Sequence, residues 1–179
     1  MLKSLALTIT LVAFAAVATV NAQNTTTASP PTDAQIAMIA VVADTVDIDA
    51  ANMAAKKTKN KMVREFAKTM VRDHTAVNAQ ATALAKKLGV TPEESGTSKS
   101  LKSGGDKTMT HLMTLTGAAF DKAYIDNEVS YHEAVLDMLD KTLIPNTRNA
   151  ELKSLLESAR PIFVTHLEHA KKLQASLNK

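Results

Sequence analysis

The stretch from Phe66 to Val90, FAKTMVRDHTAVNAQATALAKKLGV, decides the fold. Taken with Val63 just before it, its inward stripe is Val63, Ala67, Met70, His74, Val77, Ala81, Leu84 and Leu88. The steps alternate between three and four residues, the seam of an amphipathic helix packed in a bundle. Gly89 supplies a natural stop and Pro92 forbids continuation. The anomaly is His74, which sits in the seam itself and not on its flank.

The same period recurs on both sides. Thr32 opens a first helix, and Gln35 three residues on completes a capping box. Its stripe is Ile36, Ile39, Ala43, Val46, Ala50 and Met53, ending near Lys56–Lys59, where cations suit the negative end of the helix dipole. A third helix is predicted from Thr108 to about Leu143, with Gly117 dividing off a short leading piece and Pro145 and Asn146 ending it. Its stripe is Ala118, Ile125, Glu128, His132, Val135 and Leu139. A fourth runs from about Asn149 to Leu177 with the stripe Leu152, Leu155, Ala159, Ile162, His166, Ala170 and Leu173. Residues 91–107, TPEESGTSKSLKSGGDK, read as a mobile polar linker with room for a short turn of helix. There is no strand pattern and no internal repeat. The expectation is an all-α protein, an antiparallel four-helix bundle of up-down-up-down order over residues 32–179.

Ahead of the bundle, MLKSLALTITLVAFAAVATVNAQ has a positive start at Lys3, an apolar run from Leu5 to Val17 and small residues near Ala22. This predicts a signal peptide over residues 1–22, too short in its apolar run for a good membrane span, and a periplasmic or secreted mature chain. Residues 23–31 read as a disordered tether. The absence of cysteine excludes disulfides, thiolate metal sites and a lipoprotein anchor at the cleavage site. With Lys3 gone, 20 of the 21 basic residues remain against 18 acidic ones, interspersed and without interleaved aromatics, so nucleic acid is not an expected partner. No nucleophile motif and no phosphate loop is present, and an enzyme has no support.

His132 and His166 share the peculiarity of His74. All three fall in buried slots near the middle of their helices, and mid-helix residues of an antiparallel bundle sit at one height. A boundary error of two residues moves a side chain by only ~3 Å. Asp47 borders the stripe of the first helix, and Glu128 lies one turn before His132. Imidazole and carboxylate suit zinc, iron, manganese or copper, so the candidate ligands of a single divalent ion are His74, His132, His166, Asp47 and Glu128. The competing reading is a hydrogen-bonded polar layer that fixes helix register, with Asp73, Tyr124 and Tyr131 as partners. Met109, His111 and Met113 form a weaker soft set for Cu(I), their methionines being equally good core filler. His169, one turn after His166, falls on the edge of its stripe.

The segments VREFAKTMVRDHTAVNAQATALAKKLGV, GAAFDKAYIDNEVSYHEAVLDM and ARPIFVTHLEHAKKL resemble an exported bacterial family whose domain has no assigned function. Met70-x-x-Asp73-His74, Phe120-Asp121-x-x-Tyr124 with His132, and Pro161 with His166 carry the resemblance, which covers about Asp33 to Leu173. It implies a ferritin-like fold and an envelope location; members are often labelled outer-membrane proteins. It does not imply ferritin chemistry, because the Glu-x-x-His pairs of di-iron sites are absent: Val71, Val129 and Phe163 stand three residues before the histidines. Where Asp47 stands, the family usually has the longer Glu, so the first helix reaches less far. The expected function is metal buffering or stress tolerance in the envelope. The alternative is a non-catalytic structural or interaction module without metal, favoured if the Ala-rich first helix exposes an apolar face to an envelope partner.

Overall fold

The computed structural model describes residues 29–178, so the expected signal peptide and all but the end of the tether lie outside the described residues. Within them the chain is all-helical. α1 spans Asp33–Lys57, α2 Lys61–Leu88, α3 Gly96–Thr114, α4 Gly117–Met138 and α6 Ala150–Leu177. A π-helical segment, Leu139–Leu143, and the single turn α5, Ile144–Asn146, join α4 to α6. No helix among the described residues is long and apolar enough to cross a membrane.

Local chemistry sets the ends. Thr32 and Gln35 cap α1 reciprocally, at 3.3 and 3.1 Å. Asn60 caps α2, and Gly89 ends it in the left-handed conformation at φ 64°. Asn149 caps α6, which runs on through Pro161.

The linker expected over residues 91–107 is instead mostly helix. Ser95 and Ser98 form a capping box that starts α3. Its buried residues are Ser98, Gly105 and Leu112, seven apart. Two of the three carry almost no apolar surface, so the hydrophobic period gives no signal there. Gly105 is required by close approach: a Cβ at this position would stand 2.8 Å from both methyls of Val46 on α1. Gly104 beside it would meet nothing within 4 Å. Gly105→Ala is therefore expected to destabilise the protein by about 1–3 kcal/mol through overpacking against a stiff valine. Gly104→Ala is expected to stabilise it by roughly 0.5–1 kcal/mol, since glycine is a poor helix former. Urea unfolding measures both, and shifts of the same sign would contradict this packing.

Cross-helix contacts fix the direction of each helix. The turn at Thr58–Asn60 reverses α2 against α1. Tyr131 donates to the Ala43 carbonyl at 2.9 Å while Thr58 pairs with Asp121, so α4 runs antiparallel to α1. Gln174 with Asp126 and Arg160 with Asp140 make α6 antiparallel to α4. The order is therefore up, down, down, up, which corrects the expected up-down-up-down. α3 is the cause. It lies on α1, with Gly105 at Val46 and Lys57 bonded to the Leu112 carbonyl. Its 19 residues carry the chain about 28 Å back along the bundle before α4 begins. It also covers the α1 surface around Val46.

The apolar core falls into two clusters. One holds Ala51, Val63, Phe66, Met70, Phe120 and Ile125 toward the α1–α2 turn. The other holds Ile36, Val77, Leu139, Leu156 and Phe163 toward the opposite end. Several inward positions differ from the expected stripes, among them Leu156, buried where Leu155 was expected. Phe163 is buried in place of Ile162, which is 37% exposed, because its ring stacks on His74 at 4.9 Å. Ala118 is exposed, and Phe120 and Tyr124 fill the α4 end. Between the clusters lies a buried polar layer.

Candidate metal centre

Four helices supply this layer. α1 contributes Asp44 and Asp47, one turn apart on one face. α2 contributes Asp73 and His74, α4 contributes Glu128 and His132, and α6 contributes His166. All are buried except Asp73, whose side chain is 23% exposed. The three imidazoles form a compact triangle, with ring centroids 5.5 Å apart for His74 and His132, 5.2 Å for His74 and His166, and 5.5 Å for His132 and His166. One ring nitrogen from each lies within 4.8 Å of the others. Asp47, Glu128 and His132 form a second group of the same compactness.

Each histidine has one nitrogen committed to an outer partner. Nδ1 of His74 pairs with Asp44 Oδ1 at 2.8 Å. Nε2 of His166 pairs with Asp73 Oδ2 at 3.0 Å, and Arg72 holds that carboxylate from the surface at 2.6 and 3.0 Å. Nδ1 of His132 donates to the Glu128 carbonyl at 3.0 Å. Such partners orient a ring and set which nitrogen keeps its lone pair. The second nitrogens, His74 Nε2, His132 Nε2 and His166 Nδ1, are buried without a hydrogen-bond partner, as are both carboxylate oxygens of Asp47 and Oε2 of Glu128. Asp47 Oδ2 stands 3.3 Å from His74 Nε2 and 3.6 Å from His132 Nε2. Its short side chain thus reaches the imidazoles. The Tyr124 hydroxyl is buried beside the Glu128 carboxyl.

Six buried nitrogen and oxygen atoms without a hydrogen-bond partner thus share one interior. A buried carboxylate without a donor costs several kcal/mol, so the arrangement calls for positive charge among them. Burial pushes His132 down to about 3, with the neighbouring charge of His74 adding to it. Burial also takes His166 down to about 4 against the pull of Asp73. Both are therefore neutral, the form that ligates metal. Burial lowers His74 too, but the facing charge of Asp47 and the bond to Asp44 outweigh it and raise its pKa. Burial raises Asp47 to about 6 and Glu128 well above the usual carboxylate range, the latter with the charge of Asp47 adding to it. Both shifts favour the protonated forms of His74 and Glu128, which lessens the negative charge of the layer.

All five residues expected from the sequence, His74, His132, His166, Asp47 and Glu128, come together here. Asp44 was missed as an outer partner; its signal is the three-residue step to Asp47. Asp73, expected as a hydrogen-bond partner, serves the histidine of a different helix. The weaker set does not converge: Met109 packs against the core while His111 and Met113 are exposed. His169 lies edge-on to Phe66 at 5.1 Å.

A family model described as a domain of unknown function (DUF4142) matches residues 18–173. The chain belongs to that family. The match spans every residue of the polar layer, from Asp44 to His166. No curated protein and no solved structure matches the chain. The family carries no assigned activity, so the functional reading rests on the site.

Proposed function

We propose that the protein is an exported ferritin-like helical bundle that binds one divalent metal ion through His74, His132, His166, Asp47 and Glu128, for metal buffering or stress tolerance in the cell envelope. The observation that carries the reading is the set of six buried nitrogen and oxygen atoms with no hydrogen-bond partner, drawn from those five side chains. The signal-like residues 1–22 support export to the periplasm or beyond. The up-down-down-up order with one long crossover supports the ferritin-like assignment, since that connectivity is the ferritin one.

A single ion is the stoichiometry the donors support. His132 belongs to both compact groups, but its Nδ1 is spent on the Glu128 carbonyl, so one nitrogen remains to ligate. Three imidazoles and two carboxylates, without thiolate, suit zinc, manganese, iron or copper. The ion would supply a fixed double positive charge to the layer, and the chain would hold it in a site closed by two apolar clusters. Titration of metal-stripped protein with Zn²⁺, Mn²⁺, Fe²⁺ and Cu²⁺ tests this: one of them is expected to bind at one equivalent. If none binds, the histidines only fix helix register, as in the metal-free alternative.

The outer partners matter as well. Asp44→Ala frees His74 to rotate and to change tautomer, and is expected to weaken metal affinity about 10- to 100-fold. Competition with a chelator of known affinity measures it. Unchanged affinity would remove Asp44 from the site.

A further inference from the structure

A cavity of about 360 Å³ lies between α3, α1 and α4. It exists because α3 is held close at Gly105 and has little to put beside that contact. Gly104 has no side chain, and Thr97 and Ser100 are short and exposed at the cavity mouth. Inside, Val46, Leu101 and Met138 give hydrocarbon walls. Its volume is that of a small-molecule site, and no sequence feature pointed to it.

The lining selects a ligand type. Asp47 is the one charged residue in the wall, and its side chain has no exposed surface, being turned to the histidines. A ligand therefore meets no charge. The Tyr131 hydroxyl is spent on the Ala43 carbonyl. Thr108 donates to Asn127 Oδ1 at 3.3 Å, which leaves the half-buried Asn127 amide with N–H groups to donate. Asp47 and Tyr131 line this cavity and also border His132, so they form the partition between it and the polar layer.

We propose that this cavity is a binding site for a small, neutral, mainly apolar molecule bearing one hydroxyl or carbonyl oxygen, which accepts from Asn127 and lies one side chain away from the metal centre. The molecule needs no metal to bind.

The test uses 1-naphthol as probe and metal-stripped protein, with calorimetry for affinity and methyl NMR for location. One equivalent of 1-naphthol is expected to bind and to shift the methyl signals of Val46, Leu101 and Met138. The anionic isostere 1-naphthoate is expected to bind at least tenfold more weakly. Gly104→Leu adds bulk where there is open space, and Ser100→Leu adds it one turn away. Each is expected to weaken 1-naphthol at least tenfold, and the second serves if the first does not fold. Absence of methyl shifts at the solubility limit, equal affinity for the anion, or affinity unchanged in a folded variant would overturn the proposal. Because the protein is metal-free throughout, such failure leaves the metal reading standing. Failure of metal uptake leaves the cavity standing.

Discussion

His132→Ala is expected to abolish the thermal stabilisation that metal confers. The residue is the one member shared by both compact groups of ligands, and its ring nitrogen stands between Asp47 and the other imidazoles. At a hundredfold excess over the dissociation constant, an ion that binds only the folded state adds about 2.7 kcal/mol. For a domain of this size, that is a rise of about 5–11 °C in melting temperature. The variant will also melt lower without metal, because a buried ring is lost, but the quantity to read is the difference with and without metal in each protein. A metal-dependent gain retained by His132→Ala would place the ion elsewhere.

Glu128→Gln is expected to act in opposite directions on the two forms. In metal-free protein it removes a buried acid whose ionisation is opposed by burial and by Asp47. Stability above neutral pH should rise, because the amide has no proton to lose as the pH climbs. In the metal-bound form it removes a ligand, so affinity should fall. A variant that is more stable empty and weaker in binding is the mark of a site held in tension for a cation. A Gln that destabilised the empty protein would instead make Glu128 an ordinary hydrogen-bonded core residue.

The pH dependence follows from the same groups. His132 and His166 are held below the ordinary histidine value, at about 3 and about 4, so their contribution is complete above about pH 6.5 and is lost as the pH falls toward those values. Asp47, raised to about 6, and Glu128, raised further above its ordinary value, work the other way: their contribution is complete at low pH and is lost as the pH climbs through their folded values. His74, also raised, adds to the loss above about pH 6.5. The empty protein should thus be most stable in mildly acid to neutral solution and weaken on both sides. Metal binding displaces the protons of Glu128 and His74, and each proton released strengthens affinity about tenfold per pH unit. Denaturation curves from pH 5 to 8.5 should show the gain from metal widening as the pH rises.

How much of this was legible in the residues differs by element. His74 was visible because Val63 to Leu88 keep an unbroken three-four period through it. Asp47 and Glu128 followed from position on a face. α3 was hidden because its inward residues are Ser98 and Gly105, which carry no hydrophobic signal; what makes it a helix is the Ser95–Ser98 cap and the approach to Val46. Missing it reversed the direction of α4, and yet the histidines still meet in one layer. A residue at mid-helix stays at mid-height whichever way its helix runs. The partners that set the histidine tautomers were only partly legible, because Asp73 serves a histidine of another helix and pairing across helices depends on rotation about the helix axes. The cavity under α3 has no sequence signature, being a space left by side chains that are absent.

The most direct measurement is elemental analysis of protein purified without an affinity tag from its native compartment, alongside His132→Ala prepared in the same way. Close to one equivalent of a single divalent metal is expected in the native protein and almost none in the variant. Metal-free native protein, or the same metal content in both, would contradict the metal reading.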